Sequence, residues 1–148
     1  TSSVVSYNKL IHRIFLSNQK ILVIDVNAAI DPTFENVYDK RNSSFLGRGI
    51  VLQKYTGARG KSGASDASAE FLGEIRKLFN DNNIVWQSAE LGKVDQGGGG
   101  TIAQFIANLN VDVIDCGVAV LSMHSPFEVT SKVDVYMTYK AYKTFYKA

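Results

Sequence analysis

Ile21-Leu-Val-Ile-Asp25 is a short, continuous apolar run that ends on a carboxylate. Strands covered on both faces read this way, whereas a half-solvated strand alternates. Upstream, Val4, Val5, Leu10, Ile11, Ile14 and Phe15 recur at the spacing of one helical face. Downstream, Asp31-Pro32 marks a loop, residues 33–48 read as a long polar excursion, and residues 49–55 read as a second strand. Gly57-Ala-Arg-Gly-Lys-Ser-Gly63 is expected to be a flexible, basic loop. A helix capped by Ser65 or Asp66 follows, with Phe71, Ile75, Leu78 and Phe79 as its stripe and Asn80-Asp-Asn-Asn83 as its stop. Strands at 84–87, 111–114 and 117–121 then alternate with helices at 101–107 and 131–145. Val133, Met137, Ala141 and Phe145, with Tyr136 and Tyr139, form a packing face on the last helix, opposite a solvated face of Lys140, Lys143 and Lys147. This alternation predicts an α/β domain: a layered, mostly parallel sheet flanked by helices.

The composition bounds what such a domain can do. With 148 residues, 45% hydrophobic and 20% charged, the chain suits one packed domain. A net charge of +2 is far below the basic excess of a nucleic-acid binder. No apolar run approaches the roughly 18 residues of a membrane span, and no signal peptide opens the chain. These features predict neither nucleic-acid nor membrane partners. The single Cys116 excludes an internal disulfide and fits a reducing, cytoplasmic compartment. Two histidines, His12 and His124, limit any metal site to carboxylates or to ligands from elsewhere. The chain begins Thr1-Ser-Ser without Met, which marks it as an expected piece of something longer.

Ligands of layered α/β domains gather beyond the C-terminal ends of strands. Asp25 and His124 both occupy such positions. Asp25 closes an apolar strand and needs a partner or a cap to accept, since an unpaired buried carboxylate is costly. His124, in Leu121-Ser-Met-His-Ser-Pro-Phe127, is placed to act as a metal ligand or a general base. Together they are a donor pair that zinc accepts, and two ligands do not complete a site. Gly97 to Gly100 bring backbone amides close to a ligand just before Thr101 opens a helix, an arrangement suited to an anion or a carbonyl oxygen. Gly60-Lys61-Ser62 lies between a strand and a helix, yet Tyr55 stands where a phosphate-binding loop needs its first glycine. Cys116 reads as a small apolar core group and His12 as incidental.

Three segments occur in order: Ile24-Asp-Val-Asn-Ala-Ala-Ile-Asp-Pro32, Gln87-Ser-Ala-Glu-Leu-Gly-Lys-Val-Asp-Gln-Gly-Gly-Gly-Gly-Thr-Ile102 and Leu121-Ser-Met-His-Ser-Pro-Phe-Glu-Val129. Together they resemble the C-terminal part of the aspartyl aminopeptidase/aminopeptidase I family of zinc metalloaminopeptidases. The resemblance implies a di-zinc catalytic domain, of which residues 1–148 are the C-terminal portion, with no dimerisation domain recognised in them. It implies peptide substrates, two zinc ions per complete site and a homo-oligomeric enzyme. Asp25 and His124 correspond to zinc ligands. Asp95, Gly98, Gly99, Gly100 and Thr101 correspond to a substrate-side loop. The family's remaining ligands and its general-base glutamate belong upstream, and no two of Glu35, Glu70, Glu74, Glu90 and Glu128 are adjacent, as the family's Glu-Glu pair requires. No catalytic residue is therefore expected within this chain. The competing readings are a catalytically inactive binding or assembly domain of the same fold, and a nucleotide-binding α/β module.

Overall fold

A computed structural model describes residues 2–58, 62–93 and 96–148. Helix α1 (Ser2–Ser17) leads into strand β1 (Lys20–Val23). Strands β2 (Asn27–Ala28), β3 (Ile50–Gln53), β4 (Tyr55–Ala58) and β5 (Ser62–Asp66) precede helix α2 (Ala69–Asp81). Strand β6 (Trp86–Ser88), helix α3 (Ala103–Ala107), strands β7 (Asp112–Gly117), β8 (Ala119–Leu121) and β9 (Val129–Thr130), and helix α4 (Lys132–Phe145) complete the order.

The main sheet runs β1-β7-β3-β6. The β1–β7 and β3–β6 pairs are parallel, and β7–β3, where the two halves meet, is antiparallel. A second sheet, β2-β8-β9, continues from the first through the short connections 24–26 and 118. The expected mixed α/β class and mostly parallel sheet are both present.

Side-chain alternation assigns the layers. Ile50, Leu52, Ile114 and Cys116 face α2 and α4, where Phe71, Ile75, Phe79 and Ala141 close the larger core. Val23 and Val113 face the opposite way and pack on Ala103 of α3. The strands buried on both faces are thus β3 and β7. By contrast, β1 forms the sheet edge and Ile24 is 70% exposed, so its apolar run overstated its burial.

Three local expectations change. The α2 cap is Ser68, whose Oγ accepts from Phe71 N at 3.2 Å, because Ser65 and Asp66 are taken up in β5. Within residues 57–63, Gly57 and Ala58 belong to β4 and Ser62 and Gly63 to β5, and the two strands pair antiparallel. That pairing removes the strand-to-helix context a phosphate loop requires; Arg59, Gly60 and Lys61 lie outside the described residues. Helix α4 buries Ala141 and packs Tyr142 and Phe145 on the core, but leaves Val133, Tyr136 and Tyr139 more than half exposed.

What α4 buries instead is a carboxylate. Asp134, in its first turn and fully buried, accepts from Gly47 N and Gly49 N at 2.7 Å each. Gly49 has φ +85°, and a Cβ there would lie 2.0 Å from Val85 O, so only glycine allows this approach. Hydrogen bonds to a charged acceptor contribute about 1.5–3 kcal/mol each. Asp134→Ala should therefore cost roughly 3–5 kcal/mol in urea unfolding, with Asp134→Asn intermediate because one acceptor survives.

Candidate metal centre

Asp25 sits two residues past β1, in the connection where the chain passes from the first sheet to the second. Beneath it runs β7. The parallel register pairs Val23 with Asp115, and two residues on a Cβ at Gly117 would lie 2.0 Å from Asp25 O. Gly117 is thus the point at which the two segments cross in contact. The Asp25 carboxylate is half-buried and receives no hydrogen bond from the described residues.

His124 occupies the loop between β8 and β9, whose ends are fixed by Leu121 pairing with Val129. The loop turns sharply: Ser125 N donates to Ser122 O at 3.0 Å, and Ser122 and His124 take φ values of +56° and +67°. Left-handed backbone at a non-glycine residue is uncommon and is maintained only by its surroundings. Here the support is Glu128, whose Oε1 accepts from His124 N at 2.6 Å. That bond uses the backbone and leaves the exposed imidazole unengaged.

The glycine segment is anchored. Gly99 bridges Gly57 of β4, and Gly98, at φ +110°, passes so close that a Cβ would lie 2.1 Å from Gly57 O. Asp95 lies outside the described residues. Thr101 Oγ1 accepts from the N–H of Ala103, the first residue of α3, at 3.1 Å and donates to Asp115 Oδ2 at 2.9 Å.

Asp115 is the residue that sequence reasoning passed over. It is 1% exposed, and its Oδ1 has no partner among the described residues. Burial pushes its carboxyl up to about 6; the Thr101 hydroxyl opposes this and the nearby Asp25 charge adds to it. A carboxyl whose folded value is raised holds its proton better than the unfolded chain does, near 4. Stability of the metal-free protein should thus be greatest below pH 4, fall as pH rises to about 6, and then level off from this source. Asp115→Asn should flatten that segment of a stability-against-pH curve. The signal in the sequence was a carboxylate set within the apolar run 111–121. Reading the strand as broken there hid it.

Burial raises the pKa of the Cys116 thiol, and the Asp115 charge adds to this, so it is a core group as expected, with no metal-binding thiolate. His12 is exposed on α1. Among the described residues, no group of three or more His, Cys, Asp or Glu could hold a metal by itself. Asp25 and His124 each stand just past a strand with no side-chain hydrogen bond among the described residues, and both are donor types that zinc takes.

Residues 2–146 match the family described as Aminopeptidase I zinc metalloprotease (M18). The chain belongs to that family. It is 53% identical over 139 residues to the probable M18 family aminopeptidase 1 of Clostridium acetobutylicum, covering 94% of this chain and 30% of that protein. The aminopeptidase of the M18 family from Thermotoga maritima shares its fold at a TM-score of 0.87 and 50% identity, over 92% of this chain and 30% of that one. The mApe1 dodecamer of S. cerevisiae is more distant, with a TM-score of 0.70 and 25% identity over 91% of this chain and 28% of that one. The chain therefore spans about 30% of the length of the M18 relatives it matches.

Proposed function

We propose that this chain is the C-terminal part of a di-zinc aminopeptidase that removes the N-terminal residue from peptides. The observation that carries the reading is the family match over residues 2–146, combined with Asp25 and His124 standing unengaged beyond strand ends. Asp25 and His124 are the zinc ligands this segment contributes. Bound zinc supplies a polarised water and Lewis-acid stabilisation of the carbonyl oxygen. This chain's residues do the positioning. The Glu128 bond holds His124 in its left-handed turn, and the contact at Gly117 holds the Asp25 backbone against β7.

Gly98, Gly99, Gly100 and Thr101 line the substrate side, where backbone amides can meet the peptide. The rest of the ligand set and the general base come from upstream. The enzyme is cytoplasmic and works as a homo-oligomer. No helix among the described residues is long and apolar enough to cross a membrane.

Two ligands cannot organise two metals. The 148-residue chain alone should therefore hydrolyse an amino-acid p-nitroanilide no faster than its His124→Ala variant, while the chain joined to the upstream family segment should be active with zinc. Hydrolysis by the short chain above that control would overturn the division of the site. Inactivity of the joined protein with zinc bound would favour an inactive domain of the same fold.

A further inference from the structure

Asp115 stands where four segments meet. Its strand, β7, pairs it with Val23 of β1 on one side and Gln53 of β3 on the other. Residues paired in register present side chains to the same face. That face is the one α3 covers, where Val23, Val113 and Ala103 make an apolar layer. Within this layer Asp115 Oδ2 accepts from Thr101, the residue that ends the glycine segment, and Oδ1 has no partner among the described residues. Gln53 Nε2 is likewise buried without a partner among them, while its Oε1 accepts from Asn27 Nδ2 at 3.0 Å. Asn27 in turn accepts from Ser44 Oγ at 2.6 Å. Two polar arms therefore approach each other under the connection that carries Asp25, one from the β2 side and one from the glycine side.

Stability alone gives no reason for this carboxylate. An apolar side chain at position 115 would bury more favourably, and a half-satisfied buried charge is costly. The turn into α3 does not require it either, since Thr101 Oγ1 accepts from Ala103 N by its own lone pair. Its specific effect is to tie Thr101, and with it the glycine segment, to the strand on which Asp25 rests.

We infer that Asp115 is a positioning residue: through Thr101 it fixes the glycine segment against β7 and thereby sets the geometry in which Asp25 receives zinc. This rests on the reading of Asp25 as a zinc ligand. Groups that hold a metal ligand in place typically change metal affinity or activity by 10–100-fold when lost; Asp115 acts here through β7 and Thr101, with no hydrogen bond to Asp25 itself.

The test uses the complete enzyme, this chain joined to its upstream segment, with zinc affinity read by chelator competition. Folding is checked by circular dichroism, and kcat and KM are measured on an amino-acid p-nitroanilide. Folded Asp115→Ala, which removes the acceptor for Thr101, should bind zinc about 10–100-fold more weakly and lose kcat with KM within about twofold. Thr101→Val, which breaks the same bond from the other end, should give a smaller loss in the same direction and decides the matter if Asp115→Ala does not fold. Zinc affinity within twofold of the parent in the folded variant would overturn the inference, as expected of a side chain that only packs. Asp25→Ala is run alongside. If it weakens zinc binding and Asp115→Ala does not, the positioning role alone fails. If Asp25→Ala leaves zinc binding unchanged, the ligand reading fails and the inference falls with it.

Discussion

Asp25→Ala and His124→Ala, made separately in the complete enzyme, are each expected to lower kcat/KM and zinc affinity by more than about a hundredfold, since a ligand carries at least what its supporting groups carry. The structure makes this a separable prediction. Neither side chain belongs to an apolar cluster, His124 is exposed, and neither makes a side-chain hydrogen bond with the described residues. Surface substitutions of that kind change folding stability by less than about 0.5 kcal/mol. Metal-free variants should accordingly unfold within about 2 °C of the metal-free parent.

Adding zinc should then raise the parent's midpoint and leave the variants behind, because a ligand stabilises only the state that binds it. Equal zinc stabilisation of parent and variants would remove both residues from the site. Asp25→Asn sharpens the test, since it keeps the shape and one oxygen donor but loses the negative charge that zinc prefers.

The layered α/β class was legible because apolar runs and helical stripes depend on local pattern, and β3, β7 and α2 carry strong ones. Capping was misplaced by two or three residues because Ser65, Asp66 and Ser68 all offer an oxygen, and only the β4–β5 pairing decides which is free. Ile21 to Ile24 read as doubly covered although β1 is an edge, since a single sequence does not reveal strand order. At the site, Asp25 and His124 could be named from strand ends and from family resemblance. Asp115 could not, because its meaning arises from Thr101, fourteen residues away, and from the strands on either side. Asp134 was equally hidden: a first-turn carboxylate usually serves its own helix, and this one serves the amides of Gly47 and Gly49.

Gly117→Ala is expected to be a severely damaging single-methyl change directly beside Asp25. The added Cβ would lie 2.0 Å from Asp25 O, 2.7 Å from its carbonyl carbon and 3.3 Å from Val26 N. All three are backbone atoms, so no side-chain rotation relieves the overlap. Either β7 moves, which disturbs Cys116 and Ile114 in the main core, or the 24–26 connection moves and takes Asp25 with it. Overpacking against a rigid surface costs about 1–3 kcal/mol and occasionally more; the top of that range applies, a fall in midpoint of roughly 6–12 °C for a chain of this size. The weaker of the two segments should yield. The connection has Ile24 exposed and no regular pairing, whereas β7 is paired on both sides, so displacement should concentrate on Asp25. Zinc affinity should consequently fall further than the stability loss accounts for, and a second change that relaxes the connection should recover zinc binding before it recovers the midpoint. Gly47→Ala provides the contrast: a Cβ there meets nothing within 4 Å, so its only cost is the positive φ, and zinc binding should be untouched.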